Sequence, residues 1–379
     1  MMNCRVCNGA FFPNPLLSYD HSPWSAQGFL NPNQAHIDDT VDLKIWQCQV
    51  CGTIQHNLLP VEYYREVIRA IAFSPGMRSY RVQQLNSWLD KYQLKNQRIL
   101  EVGAGKGEYL DLLKECGAQN ISGLEFSKNN CASARQNGHN IYQGYLDGDI
   151  SPLPAKLNFQ AFTVFSFMEH WPNPNLSFSM LNQHLSDGAI GLIEVPNFEM
   201  ILQKGLYSEF TTDHIFYFDK KSLIFLLEKN GFEVLSIDII WHDYILSAVV
   251  RKRQPLATDL FEQVRNRVTT DLHDYIARFD SKSVVVWGAG HQALAVITMT
   301  QIQNEIKYIV DSAKFKQEKL TPASHIIIKP PSYMNIDCPK AIIVMAAGYS
   351  NEVANLVVHD YPHIKHLAIL REDHLEVVN

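Results

Sequence analysis

The sequence predicts an α/β protein in three segments: a small cysteine-stapled module over residues 1–60, a central domain of alternating strands and helices over 61–253, and a second, smaller α/β domain over 254–379. Three observations predict it. Two Cys-x-x-Cys pairs, Cys4/Cys7 and Cys48/Cys51, fall within the first segment. An apolar run at Arg98–Val102 feeds directly into the glycine turn Gly103-Ala104-Gly105-Lys106-Gly107. A second apolar run, Ser283–Trp287, feeds into Gly288-Ala289-Gly290-His291-Gln292-Ala293.

The first segment is rich in Pro, Asn and aromatic residues and shows little periodicity, as expected of a module that depends on a staple rather than a core. Four thiolates in two knuckles suit tetrahedral zinc, with about 2.3 Å per Zn–S bond and no open position, so the predicted metal is structural. The bland alternative is a set of free dithiols or a redox pair. Cys116, Cys131 and Cys338 stand alone and read as packing residues.

From Val61 to Tyr92 the pattern predicts helices, the first over Tyr63–Arg69 and the second from Met77, separated by Ser74-Pro75-Gly76. Strands are predicted at Arg98–Val102, Asn120–Leu124, Ala161–Phe165 and Ala189–Val195, and helices at Glu108–Glu115, Lys128–Gln136 and Leu176–Leu185. A helix at Lys221–Asn230, a stop at Gly231 and the strands Phe232–Ile239 and Tyr244–Arg251 complete a seven-strand sheet ending in an antiparallel hairpin. The joint Arg251-Lys252-Arg253-Gln254-Pro255 leads to a long helix, Thr258–Phe279, and then to the second sheet.

With 379 residues and a net charge of −6, the chain lacks the basic balance that binding nucleic acid phosphates requires. No apolar run approaches the roughly 18 residues of a membrane helix. Met1-Met2-Asn3-Cys4-Arg5 has no signal-peptide core, so a cytosolic protein is expected.

The chemistry lies in Glu101-Val102-Gly103-Ala104-Gly105-Lys106-Gly107 and in Gly123-Leu124-Glu125. Glycines let the backbone approach a ligand, and an acid ending the second strand accepts two ribose hydroxyls. The glycine spacing is not the G-x-G-x-x-G of dinucleotide sites, and a carboxylate at Glu101 would repel a pyrophosphate. It suits the cationic methionine end of S-adenosylmethionine. The later turn at Gly288, with Asp311 ending its second strand, is a fair dinucleotide fingerprint that would equally cradle a substrate's phosphates.

These motifs, with Phe165-Ser166-Phe167-Met168-Glu169-His170, Glu194-Val195-Pro196-Asn197, Asp213-His214-Ile215-Phe216-Tyr217-Phe218, Thr321-Pro322-Ala323-Ser324-His325 and Gly348-Tyr349-x-x-Glu352, resemble over nearly the full length the three-domain methyltransferases that include sugar C-methyltransferases. The resemblance implies a Rossmann-like seven-strand methyltransferase sheet, an N-terminal zinc module and a C-terminal Rossmann-like substrate-binding domain. It implies that Glu101, Val102, Gly103, Ala104 and Gly105 contact the methionine portion, that Glu125, followed by Phe126, meets the ribose, and that Tyr145 and Leu146 lie near adenine. Phe165 and Ser166 would line the methyl-transfer face. His214, paired with Asp213, would be the base that deprotonates the acceptor, most readily a nucleotide-linked keto sugar, with nitrogen or oxygen acceptors as the alternative. The chain departs from the family at Thr211, where a Tyr is usual, at Asp213, commonly Glu, and at Gly348, commonly Asn. All three fall where substrate should bind.

Several residues have plainer readings. His170 is expected to be a structural, hydrogen-bonded residue, and aromatic neighbours make His214 a candidate core histidine as well as a base. Tyr63, Tyr64 and Tyr80 are expected mainly to pack, and Asp38-Asp39 to form a solvated turn. Two further functions stay open: a terminal domain that binds NAD, and a non-catalytic partner subunit.

Overall fold

The structure, a computed structural model, describes residues 3–27, 29, 31–33, 40–66, 74–148, 151–155 and 157–379. Asp38, Asp39 and the Val67–Arg69 part of the first expected helix lie outside the described residues. The chain divides between Pro255 and Leu256 into two units.

The first 60 residues hold more regular structure than their composition implies. β1 (Leu17–Pro23), β2 (Thr40–Gln47) and β3 (Ile54–His56) form an antiparallel meander. Alternation is short but present, since Leu43 and Ile45 on β2 are fully buried between exposed Asp42 and Lys44. The meander is not a separate body: its fourth strand comes from residues 216–217.

Residues 62–66 make turns where a helix was expected, closed by bonds from Tyr64 N to Val61 O (3.0 Å) and from Glu66 N to Tyr63 O (2.7 Å). The physical reason is divergent side-chain bonding. Tyr63 reaches Asp213, while Tyr64 and Arg65 reach Asp147, so the three share no helical face. α1 (Pro75–Lys91) begins as the Ser-Pro pair dictates, with Ser74 Oγ accepting from Met77 N at 3.1 Å and Pro75 in the first turn.

The central sheet follows: β4 (Arg98–Val102), α2 (Glu108–Glu115), β5 (Asn120–Glu125), α3 (Lys128–Gln136), β6 (Asn140–Gln143), β7 (Phe159–Phe165), α4 (Pro174–Asn182) and β8 (Leu185–Pro196). α4 starts at Pro174 because Asn173 caps it, and it ends before Leu185, which opens β8. Next come α5 (Phe198–Lys204), β9 (Phe216–Tyr217), which pairs with β3, α6 (Lys220–Lys229), β10 (Phe232–Ile240) and β11 (Ile245–Lys252). The order is β10-β11-β8-β7-β4-β5-β6, with β8 to β6 parallel and the β10–β11 hairpin antiparallel. Both faces are covered, which is why these strands read as continuous apolar runs rather than alternating ones. Leu100, Val102, Phe162 and Val164 pack on one face, and Ile99, Ala161 and Phe165 on the other with Leu85, Trp88 and Leu89 of α1.

The second unit holds α7 (Asp259–Ile276), β12 (Val284–Trp287), α8 (His291–Met299), β13 (Ile306–Val310), β14 (Ile328–Lys329), α9 (Met334–Asp337), β15 (Ala341–Val344), α10 (Ser350–Asp360), β16 (His366–Leu370) and β17 (Leu375–Val377). Its sheet runs β14-β13-β12-β15-β16-β17, parallel except for β17. No helix among the described residues is long and apolar enough to cross a membrane.

Candidate active site

The site grows from the carboxyl ends of β4, β5, β7 and β8, where open α/β sheets place their ligands. After Val102 the chain bends through Gly103 and Gly107 at φ +77° and +98°, a backbone region that side chains rarely adopt. A Cβ at Gly103 would meet the Phe167 ring at 2.6 Å, and one at Gly107 the His139 ring at 2.5 Å, so both are glycine for room as well as for angle.

Glu125 ties this bend to the next strand. Its Oε2 accepts from Gly105 N at 2.9 Å and its Oε1 from Ser127 N at 2.9 Å, with Asn130 Nδ2 at 3.4 Å. The carboxylate thereby fixes the turn and faces a cleft lined by Val102, Gly103, Leu124, Glu125, Phe126, Gly144, Tyr145, Leu146, Phe167 and Trp171. Of the residues expected on the cofactor, the cleft brings together Val102, Gly103, Glu125, Phe126, Tyr145 and Leu146. Glu101, Ala104, Gly105, Phe165 and Ser166 do not line it.

Each of these five has its own place. Glu101 is fully buried on β4, paired with Gly123 and Thr163. Ala104 packs under Gly123. Gly105 serves Glu125 through its N–H. Phe165 stacks on Tyr109 at 4.2 Å, and Ser166, at φ +44°, donates its N–H to Glu194 O at 2.9 Å. The cleft itself is tight. Tyr145 and Phe167, whose ring centroids lie 5.7 Å apart, leave it about 10 Å³ of free space.

One rim of the cleft was not legible from sequence. Tyr64 stands edge-on to Tyr145 at 5.6 Å and donates to Asp147, which also pairs with Arg65 Nε at 2.7 Å. The Arg65 guanidinium lies 5.5 Å over the Phe126 ring.

Behind Phe165 sits a buried polar cluster that the sequence did not announce either. Arg81 pairs with Glu194 at 2.5 Å, both almost fully buried, while Gln84 and Ser247 donate to the other Glu194 oxygen at 2.5 and 3.0 Å. Arg81 also lies 5.5 Å from the ring centres of Tyr109 and Phe165. A run of Arg-x-x-Gln inside an amphipathic helix ordinarily marks a solvated face, which is why no signal separated it. Among the described residues five carboxylates are buried, namely Glu101, Glu125, Glu169, Glu194 and Asp213, against a single buried Lys or Arg, Arg81. Of the five, Glu125 alone lines the cleft.

The acid–histidine pair is arranged differently from the simple dyad expected of it. The Asp213 carboxylate accepts from Tyr63 OH at 2.5 Å and from Ala26 N at 3.4 Å, and burial pushes its carboxyl pKa up. The Asp213 main-chain carbonyl accepts from His170 Nδ1 at 2.8 Å, which puts the proton on Nδ1 and leaves Nε2 as a lone pair. His170 meets His214 ring to ring at 4.9 Å, and their ligand atoms and that of Glu169 lie within 4.8 Å of one another. Burial lowers His214 to about 4 and His170 to about 3, so both rings are neutral near pH 7.

In the N-terminal module all four expected sulfurs converge. Cys4 and Cys51 Sγ lie 3.6 Å apart, Cys7 and Cys48 Sγ 3.4 Å apart, and all four within 4.8 Å. Gly9 N and Val50 N each donate to a cysteine sulfur, at 3.3 and 3.4 Å, as amides in thiolate knuckles do. Tetrahedral zinc at about 2.3 Å per bond separates sulfurs by about 3.8 Å, so the cluster fits such an ion.

In the second unit the Gly288 turn is tied down by Asp311, whose oxygens accept from Ala289 N and Ala313 N at 2.8 Å each and pair with Lys316 at 3.0 Å.

Residues 76–237 match the family model of a methyltransferase domain, and residues 256–359 that of a C-methyltransferase C-terminal domain. The chain is 20% identical over 387 residues to the C-methyltransferase NovU of Streptomyces niveus, spanning 92% of this chain and 90% of that protein. Among solved structures, the PH0226 protein of Pyrococcus horikoshii OT3 is 16% identical with a TM-score of 0.40, covering 51% of this chain and 100% of its own. An S-adenosylmethionine-dependent methyltransferase of Clostridium acetobutylicum ATCC 824 is 12% identical with a TM-score of 0.39, covering 50% and 96%.

Proposed function

We propose, for a chain that belongs to the S-adenosylmethionine-dependent methyltransferases, that it transfers the methyl group to a carbon of a small molecule, a nucleotide-linked keto sugar being the acceptor class that fits best. The observation that carries the donor end is Glu125, held by the glycine turn's own N–H and facing the cleft. The C-methyltransferase C-terminal domain over residues 256–359 and the likeness to NovU support carbon as the acceptor atom.

When bound, the donor supplies an electrophilic methyl on a sulfonium, so the protein's tasks are alignment and deprotonation. Glu125 takes the ribose hydroxyls, while Tyr145 and Leu146 flank the base. The buried Glu101 carboxylate on β4 adds negative charge that favours the cationic donor over its neutral product. His214, neutral through burial, removes the proton next to the acceptor's carbonyl, and Glu169 stabilises the imidazolium that results. Asp213 acts at one remove, since its main-chain carbonyl orients His170, which packs against His214. The four N-terminal cysteines bind a structural zinc that holds the β1–β3 meander against β9.

The test is direct. Saturable donor binding by calorimetry is expected, together with a mass gain of one methyl unit on a member of a nucleotide-sugar panel. His214→Ala should keep donor binding and lose turnover by roughly 100-fold or more. Absence of donor binding defeats the reading, and unimpaired turnover in His214→Ala defeats the assignment of the base.

A further inference from the structure

The reaction proposed above makes no use of the His170 lone pair, and that lone pair faces two other groups able to hold a metal. Glu169 and His170 lie on the short turn Met168–His170 that follows β7, and Phe167 and Trp171 on either side of it line the donor cleft. His214 comes from the loop before β9. The ligand atoms of the three side chains lie within 4.8 Å of one another.

The two segments are laced together by their own hydrogen bonds. Ile215 N donates to Glu169 O at 2.9 Å, and His170 Nδ1 donates to Asp213 O at 2.8 Å. The second bond is the support a metal-ligating histidine ordinarily has: one ring nitrogen donates to a main-chain carbonyl, which fixes the tautomer and aims the other lone pair. Among the described residues, His170 Nε2 and both His214 nitrogens have no hydrogen-bond partner, although His170 is only 4% exposed. Buried polar atoms of that kind are costly, and one cation between the rings would satisfy both.

Two imidazoles and a carboxylate make a mixed nitrogen–oxygen set. It suits a divalent transition-metal ion such as zinc or cobalt, whereas magnesium and calcium take oxygen ligands. Bonds of about 2.0–2.2 Å would draw the three atoms to about 3.4 Å from one another, a closure of at most about 1.5 Å. A carboxylate ligating through one oxygen keeps the other for a neighbour, so Glu169 can serve without losing its existing interaction. His214 is only partly buried, which leaves an entry path for the ion.

We propose that Glu169, His170 and His214 bind one divalent transition-metal ion, and that the bound ion occupies the His214 lone pair and so holds the enzyme inactive. Inactivation rests on His214 being the base, as proposed above; binding does not.

The experiment titrates Co²⁺ into the untagged full chain, dialysed first against citrate to clear weakly held metal, and follows its absorption spectrum. One cobalt per chain is expected with visible d–d bands and without the near-ultraviolet charge transfer that thiolates give, its affinity lowered about 100-fold or more in Glu169→Gln and in His214→Ala. Glu169 is buried, so thermal melts accompany its variant; His214→Ala, at a partly exposed ring, decides the matter should the other fail to fold. No cobalt, cobalt bound only with thiolate charge transfer, or affinity indifferent to His214→Ala overturns the site. Saturating Co²⁺ should also slow methyl transfer by the parent about 100-fold, and bound cobalt with undiminished transfer overturns the inactive state. Calorimetry of S-adenosylmethionine on the same samples keeps the claims apart: missing donor binding counts against the methyltransferase reading, and normal donor binding with no such cobalt counts against the metal site alone.

Discussion

Replacing Glu125 by Gln keeps the shape of the side chain and removes its charge, and the structure says what that costs. One carboxylate oxygen accepts from Gly105 N and the other from Ser127 N, both at 2.9 Å. The amide keeps one acceptor and turns an NH2 toward one of those two donors. A charge-assisted hydrogen bond contributes roughly 1.5–3 kcal/mol, so losing one toward a ribose hydroxyl weakens the donor by roughly 10- to 150-fold. Leaving a buried N–H facing another donor adds about 1–3 kcal/mol of destabilisation, visible as a lower melting temperature. Titration calorimetry with S-adenosylmethionine and with S-adenosylhomocysteine is the assay, because both carry the same ribose and should weaken by the same factor. Unchanged affinity for both refutes the ribose role. A loss confined to S-adenosylmethionine refutes it too, since that would put the carboxylate at the sulfonium.

Three further outcomes follow from the same geometry. Arg81→Met leaves the buried Glu194 carboxylate without its cation and should cost about 3–5 kcal/mol in urea unfolding, most of it recovered in Arg81→Met/Glu194→Leu; a loss below about 1 kcal/mol would show that the pair is not what holds that cluster. Burial holds His56 at about 4 and His170 at about 3, below the ordinary 6.5, so the folded state favours the neutral rings; their contribution is complete above about pH 6.5 and fades as pH falls toward 4 and 3, giving a loss of up to about 2 kcal/mol per ring between pH 7.5 and 5, and a flat stability profile there refutes it. Cys48→Ser should lower zinc content by mass spectrometry from one ion per chain to near none and lower the melting temperature, and an unchanged metal content would dismiss the cluster as a zinc site.

The parts of the fold that the sequence disclosed are those where local pattern and tertiary environment agree. β4 and α2 run from Arg98 to Val102 and from Glu108 to Glu115 as their apolar spacing requires, and Gly103–Gly107 forms the bend that its composition demands. What stayed hidden depends on partners remote in sequence. β3 is three residues long and reads as a strand only once Phe216 and Tyr217 lie beside it. β6, Asn140-Ile141-Tyr142-Gln143, has too few apolar positions to declare itself and is a strand because β5 supplies its edge. Tyr63 and Arg81 belong to the site through contacts 150 and 113 residues away in sequence, and no periodicity encodes such pairs. Phe167 was visible within its motif, but its place against Gly103 follows from the missing Cβ there.

The chain contains one device twice, and the difference between the copies bears on what each can hold. In both units an acid at or just beyond the end of the second strand reaches back to a main-chain N–H of the preceding glycine turn: Glu125 to Gly105 at 2.9 Å, Asp311 to Ala289 at 2.8 Å. Both acids have each oxygen engaged by a main-chain N–H, but Asp311 is one methylene shorter and is joined by Lys316, which also donates to Ala289 O at 3.1 Å. A ribose diol arriving at Asp311 must displace an ammonium already paired with it, whereas the longer Glu125 lies on a cleft wall shared with Gly103 and Phe126. The second turn is therefore built as a brace, and nicotinamide dinucleotide binding there would have to break that brace first. Titration with NAD(H) should leave the melting temperature of the full chain unchanged; a rise, abolished by Asp311→Asn, would show that the brace opens.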